Sequence, residues 1–229
     1  MTPLRLPADA PFDTLVGVGG IGGGMFLALE GDATLGREES RGAHLLDARD
    51  ACKLHIVAHH AALLLGADPS GSPFHVVPLG FVGDDDPGRR ALDAMEQAGI
   101  DVAHVRTIAG RPTLFSVCFL YPDGSGGNLT TLDSAAAALT EADVDELTPL
   151  LGPRTIALAA PEVPVGPRRR LLEVATACGA FRVASFVSGE LAAARDEGLF
   201  GLTDLLALNA DEAAALARVP FDRSDPAAF

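Results

Sequence analysis

Cysteine, positive charge and long apolar runs are all scarce in this sequence. Its three cysteines, Cys52, Cys118 and Cys178, are odd in number and far apart. Neither a disulfide framework nor a C-x-x-C zinc site is expected from them, and a reducing cytoplasm is the expected setting. Seventeen Lys and Arg stand against 31 Asp and Glu, a formal net charge of −14. Such a chain repels phosphate backbones and anionic bilayers, so nucleic acid and membrane are not expected as partners. An anionic small substrate stays open, provided its pocket is locally positive. No apolar run approaches the ~18–20 residues of a membrane span. The opening MTPLRLPADAPFD has no apolar core of the signal-peptide kind, so no leader is expected. What is plentiful is apolar content, 48% of 229 residues, enough for one α/β domain or a core with a small appendage.

Short apolar runs alternate with helical patterns, the mark of a parallel α/β sheet. Strands are expected at residues 13–18, 74–79, 155–159, 181–185 and 202–208. Residues 51–66 place Leu54, Val57, Ala61 and Leu64 at helical spacing. Asp86-Pro87 opens a second helix, capped by Asp86 and stopped by Gly99. Thr140 to Asp143 reads as a capping box for residues 142–150; further helices are expected at 167–178, 189–197 and 211–218. Two segments break the alternation. Residues 25–46 are mixed and polar. Residues 113–132 hold TLFSVCFLY, the turn PDGSGGN and a short run at Leu129–Leu132, which reads as a hairpin. Phe115, Val117 and Phe119 share one face of it, while Ser116 and Cys118 leave room on the other. Such a ribbon either covers a ligand site or merely decorates the surface.

The stretch VGVGGIGGGM contains a literal G-x-G-x-x-G at Gly17, Gly19 and Gly22. A dinucleotide turn needs a helix next and then a strand ending in an acidic residue ~20 positions on. Here Gly23 and Gly24 weaken a helix start, and DATLGREESRGAH is no buried strand. The run is therefore read as backbone that something approaches closely. A nicotinamide-dependent oxidoreductase is the alternative this run keeps open.

Read in order, VVPLGFVGDDDPGRRALDAMEQAGID, RPTLFSV, DGSGGN and LLALNADEAAALARV resemble the ribokinase-like (PfkB) carbohydrate and nucleoside kinase family. The family's G-x-V-G-D-D-x-x-G is matched by Gly80, Val82, Gly83, Asp84, Asp85 and Gly88. Its helix-ending G-V/I-D is matched by Gly99, Ile100 and Asp101, its pT by Pro112-Thr113, and its N-x-x-E by Asn209 and Glu212. The resemblance implies an α/β, ribokinase-like three-layer fold, with a mainly parallel central sheet and a small β-lid. Residues 1–229 would form one such domain, with lid insertions at about 25–46 and 107–133. The implied activity is ATP-dependent transfer of the γ-phosphate to a hydroxyl of a sugar, nucleoside or related alcohol, with Mg²⁺, under a lid that excludes water. By the same resemblance Glu162, Asn209 and Glu212 serve the nucleotide and Mg²⁺. Gly22, Gly23, Lys53, Gly83, Asp84, Arg111 and Asn128 are candidates on the substrate side, and a homodimer through the lid is among the expected partners.

Each candidate also has an ordinary reading. Asn209 and Glu212 make a helix cap; Asp84 to Asp86 suit a helix N-terminus; Lys53, Arg111 and Asn128 suit solvated positions. His55 and His59 lie four apart, a chelating spacing, but only Asp47 and Asp50 stand upstream and no third ligand is evident. The departures are equally specific. The family's aspartate at the end of the first strand is glycine here, around Gly22 and Gly23, and its GG-x-x-x-N is replaced by Ala51 to Val57. The D-T-x-G-A-G-D motif, which would carry the base and the anion-binding helix start, is not in the sequence. The base is therefore expected beyond Phe229, the domain is expected to be C-terminally incomplete, and no catalytic residue is expected within the chain. A non-catalytic ligand-binding homologue of the same fold is the second reading. In space, the early glycines are expected to face the FLY ribbon across a cleft, with Asn209 at its floor.

Overall fold

Strands only three to nine residues long build the central sheet of this computed structural model, which describes residues 4, 7, 9–31, 34–46, 51–221 and 225. The strands are β1 (Thr14–Val18), β4 (His75–Gly83), β5 (Val105–Ile108), β8 (Thr155–Ala159), β9 (Phe181–Ser185) and the shorter β10 (Leu205–Ala207), in the order β10-β9-β8-β1-β4-β5. Every pairing in that sheet is parallel. Alternation sends successive side chains to opposite faces, and both faces are buried. Val16, Val18, Val77, Leu79, Ala157 and Ala159 pack under α3 (Glu141–Asp145) and α4 (Val165–Cys178). Leu15, Val76, Val82 and Leu158 pack under α1 (Lys53–Leu65) and α2 (Asp86–Gln97). Helices on both sides of a parallel sheet give the three layers expected from the alternation. Two further helices, α5 (Leu191–Asp196) and α6 (Ala210–Ala217), follow β9 and β10.

A second sheet, β3-β2-β6-β7, is built from β2 (Gly22–Leu29), β3 (Ala43–Leu45), β6 (Leu114–Leu120) and β7 (Gly126–Thr130). Its inner pair, β2 and β6, is parallel; β3 and β7 add antiparallel edges. The glycine run is therefore strand, not a turn into a helix: β1 ends at Val18 and β2 starts at Gly22. A Cβ on Gly22 would fall inside 3.0 Å of the Leu114 carbonyl oxygen, so glycine here lets one strand lie against another.

Several expectations need correction. The glycines and the FLY ribbon do not oppose each other across a cleft; they are hydrogen-bonded neighbours, with Gly22 beside Leu114 and Gly24 beside Ser116. The second lid strand starts at Gly126 rather than Leu129, because the glycines of GSGGN pair with Leu120 and Phe119. The buried stripe of α1 is Leu54, His55, Ala58 and Ala62, while Val57 and Leu64 are exposed. Small residues let the helix approach the sheet, so choosing the larger apolar side chains rotated the expected face. Asp85, not Asp86, caps α2, because its side chain accepts from Gly88 N–H three residues on.

Candidate functional site

The lid is fastened at its root by the G-D-D segment. Gly83 has no room for a Cβ, which would fall inside 3.0 Å of the Arg111 carbonyl oxygen and Thr113 N. The Asp85 carboxylate accepts from Gly88 N–H at 2.9 Å, Thr113 N–H at 2.8 Å and the Thr113 hydroxyl. Thr113 Oγ1 in turn accepts from Gly83 N–H at 2.8 Å. Burial opposes ionisation of Asp85, but these donors outweigh it and hold the carboxyl below the usual range. One aspartate thus ties the end of β4, the start of α2 and the entry to β6 together. Asp84 points to solvent, 3.7 Å from Arg89, with its side chain 69% exposed. Arg111 is also exposed.

Beyond that root the inner face of the lid turns toward the C-terminal ends of the central strands. Register puts Phe26 beside Cys118 and Cys118 beside Asn128, and likewise Ser116 beside Thr130, so these side chains share one face. They look onto Lys53 and Glu162. Lys53 opens α1, whose N-cap residue Cys52 supplies no side-chain cap bond. Glu162 supplies it instead: its Oε2 accepts from Lys53 N–H at 2.7 Å, a carboxylate at the positive end of a helix. Glu162 does so from the left-handed region, φ 75°, an uncommon conformation for a non-glycine residue that is over-represented at functional sites.

Two adjoining depressions, of about 580 Å³ and about 430 Å³, share Lys53, Asn128 and Glu162. The first also reaches Glu190 and Glu212. Asn209 and Glu212 form the reciprocal cap of α6: Glu212 N–H donates to Asn209 Oδ1 at 2.8 Å, and Asn209 N–H to Glu212 Oε2 at 2.9 Å. Glu190 is held by Arg168, a guanidinium with no exposed side-chain surface, at 2.8 Å. Arg168 also donates to the Ser185 carbonyl at 2.7 Å and lies over the Phe186 ring, 4.8 Å from its centroid.

The expected residues therefore divide. Lys53, Asn128, Glu162 and Glu212 line one cleft, with Asn209 capping the helix that delivers Glu212. Gly83, Asp84 and Arg111 belong to the lid root and its surface and do not line it. Gly22 and Gly23 line a separate cavity of about 620 Å³ between β2 and α2, with His55, Arg90 and Phe115. His55 is a buried strut: its Nδ1 lies 3.2 Å from the Gly22 carbonyl oxygen, and burial pushes its pKa down. Asp47 and Asp50 lie outside the described residues. Sequence reasoning missed Phe26, because a glycine-rich run did not read as a strand. It also missed Glu190 and its buried arginine, for which the sequence carries no signal beyond an acid near a helix start.

Among the described residues no group of three His, Cys, Asp or Glu side chains is arranged to hold a metal unaided. Mg²⁺ asks for less, one or two carboxylates with phosphates and waters completing the octahedron. Glu162, Glu190 and Glu212 on one cleft fit an ion that arrives with a phosphorylated ligand.

A family profile described as pfkB family carbohydrate kinase matches residues 57–228. Among solved structures, the ribokinase of Cryptococcus neoformans var. grubii serotype A in complex with ADP superposes with a TM-score of 0.69 at 16% identity, over 95% of this chain and 65% of that one. The Burkholderia thailandensis nucleoside kinase in complex with inosine gives 0.64 at 15% identity, over 90% and 63%. The Arabidopsis thaliana ribokinase complexed with ribose and ATP gives 0.62 at 17%, over 95% and 68%. This chain thus spans less than two thirds of the fungal ribokinase and the nucleoside kinase, and the likeness to all three is one of fold. Curated proteins give no significant match.

Proposed function

The chain belongs to the pfkB family of carbohydrate kinases, and from that premise we propose that it forms the acceptor-binding part of an ATP-dependent, Mg²⁺-assisted small-molecule kinase acting on a hydroxyl of a sugar, nucleoside or related alcohol. The observation that carries the reading is the shared cleft. The inner face of the lid, Lys53 at the start of α1 and Glu162 all meet there, and Glu212 lines its further part. Lys53 supplies a cation beside a helix N-terminus, where phosphate oxygens are favoured. Glu162 and Glu212 would hold Mg²⁺, whose charge offsets that of the transferring phosphates. The lid removes water that would compete for the phosphoryl group. By the family resemblance the base that takes the hydroxyl proton is not among these 229 residues, so this stretch binds the acceptor without completing the transfer.

Two further parts of the proposal concern the surroundings. The outer face of the lid carries Met25, Leu45 and Leu129 exposed, an apolar patch suited to a second lid in a homodimer. Among the described residues no helix is long and apolar enough to cross a membrane, and the three cysteines stay thiols, which fits a cytoplasmic setting.

The test titrates residues 1–229 with sugars, nucleosides and ring alcohols and follows ADP formation with Mg-ATP. Binding of an alcohol that Asn128→Ala weakens, with no turnover as fast as about 1 s⁻¹, is expected. Turnover at that rate overturns the assignment of the base elsewhere. Failure of every alcohol to bind overturns the acceptor site.

A further inference from the structure

We infer that the acceptor presents its hydroxyl on an apolar, ring-sized body rather than as a neutral polyol, and that Phe26, Ile56 and Leu120 set this preference. The inference rests on the acceptor-site reading above and deepens it.

Polyol recognition needs side chains that pair with several hydroxyls at once, since a hydroxyl buried without a partner is disfavoured. Whereas the half of the cleft beside Glu190 and Glu212 carries Thr130, Thr131 and Ser134, the other half is poor in such groups. On the lid side its wall is Phe26, Cys118, Leu120, Gly126 and Gly127, and Ile56 closes it from α1. The neutral polar side chains of that wall are Ser116 and Asn128. Ser116 is only 2% exposed, and Asn128 Oδ1 already accepts from the Thr130 hydroxyl at 2.8 Å. Glu162 Oε2 already accepts from the backbone of Lys53, and its carboxylate is one of those proposed above for Mg²⁺. The charged groups of this half of the cleft are thus one lysine and one carboxylate serving a helix end.

The glycine turn after β1, beside Glu162, has no room for a further side chain. At Gly20 a Cβ would fall inside 3.0 Å of the Glu162 side chain and of Leu114. No side chain can be added there without moving Glu162 or Leu114. Ring carbon, by contrast, meets Phe26, Ile56 and Leu120 without stranding a polar group, and a depression of about 430 Å³ lies within the range of small-molecule pockets.

The experiment compares D-ribose with 3-(hydroxymethyl)pyridine on residues 1–229, using saturation-transfer NMR titrations to millimolar concentration. The ring alcohol is expected to bind at least about tenfold more tightly than ribose. Phe26→Ala is expected to weaken the ring alcohol by about tenfold, the scale of one lost apolar contact, with little change for ribose. Leu120→Thr, a strand-compatible change at a half-open position, is expected to narrow the gap between the two ligands. Ribose binding as tightly as the ring alcohol, or both variants leaving the ratio unchanged, overturns the inference while keeping the acceptor site. Binding of neither ligand removes the acceptor site itself.

Discussion

Asp85 and Asp84 sit side by side in the family motif, and the structure assigns them unequal work. Replacing Asp85 by Ala removes the cap of α2 and three bonds to one carboxylate, from Gly88 N–H, Thr113 N–H and the Thr113 hydroxyl. A lost N-cap costs about 0.5–2 kcal/mol, and a hydrogen bond to a charged group contributes about 1.5–3 kcal/mol. The bonds share one acceptor and water replaces part of them, so about 3 kcal/mol is expected rather than their sum. In a chain of this size 1 kcal/mol moves Tm by roughly 2–4 °C, which gives a fall of about 6–12 °C by circular dichroism. Asp84→Ala removes one exposed contact of 3.7 Å and is expected to leave Tm within about 2 °C. Acid supplies a second reading. The folded carboxyl of Asp85 titrates below its ordinary value of 3.8, so its contribution is complete above that pH and is lost as pH falls through the lower, folded value. The gap between parent and Asp85→Ala should therefore close below about pH 4. A Tm loss under 2 °C for Asp85→Ala, or equal losses for the two variants, refutes the assignment.

Four other substitutions probe the same framework. Gly22→Ala pushes a methyl into the Leu114 backbone and is expected to cost at least about 1–3 kcal/mol, with β2 and β6 amides exchanging faster by hydrogen–deuterium exchange. Glu190→Ala strands the fully buried Arg168 and is expected to cost about 3 kcal/mol in urea unfolding. Arg169 also faces a glutamate, Glu197, but both are part-exposed, and Glu197→Ala should cost well under about 1 kcal/mol. Burial lowers the pKa of His55 from its ordinary 6.5, so the stability tied to its neutral form is present above that value. It is lost as pH falls below 6.5 toward the folded pKa. Melting curves of His55→Gln should lack this part of the acid slope, and a parent-like slope in the variant would exclude His55 as its source.

The middle of the central sheet was legible because β1, β4, β8 and β9 are short apolar runs between helical patterns, whereas the edge strand β5, VRTI and only part-buried, offered no such run and was not expected. β8 and β9 fall at their expected residues, and the capping box at Thr140 forms with Asp143 accepting as expected. Legibility failed where tertiary contact overrides local composition. β2 opens Gly-Gly-Gly, poor strand material by propensity, yet it pairs with β6 over seven residues because glycine alone permits the approach. The face of α1 was misjudged for a related reason: Ala58 and Ala62 are buried through closeness to the sheet, not through their own size. Of the candidate site, Lys53, Asn128, Glu162 and Glu212 came together. The motif residues Gly83 and Asp84 did not, since a sequence motif records that a segment recurs without recording whether it touches ligand or holds something that does.

That distinction changes what the resemblance can carry. The G-D-D segment fits the family pattern, and its work here is mechanical: Asp85 and Gly83 fix where β6 leaves the core, and hence where the inner face of the lid stands over Lys53. The surface proposed to face the ligand depends on different residues, Phe26, Ile56 and Leu120, none of which belongs to the motif. An architecture of this kind can keep its lid in place while the wall beneath it is rewritten. A motif match then supports the position of the lid and the family, and the substrate has to be read from the wall. Swapping wall residues should change ligand preference at nearly constant Tm, whereas Asp85 variants should lower Tm and loosen every ligand together. If Phe26→Ala and Asp85→Ala alter ligand ratios alike, lid placement and ligand choice are not separable in this fold.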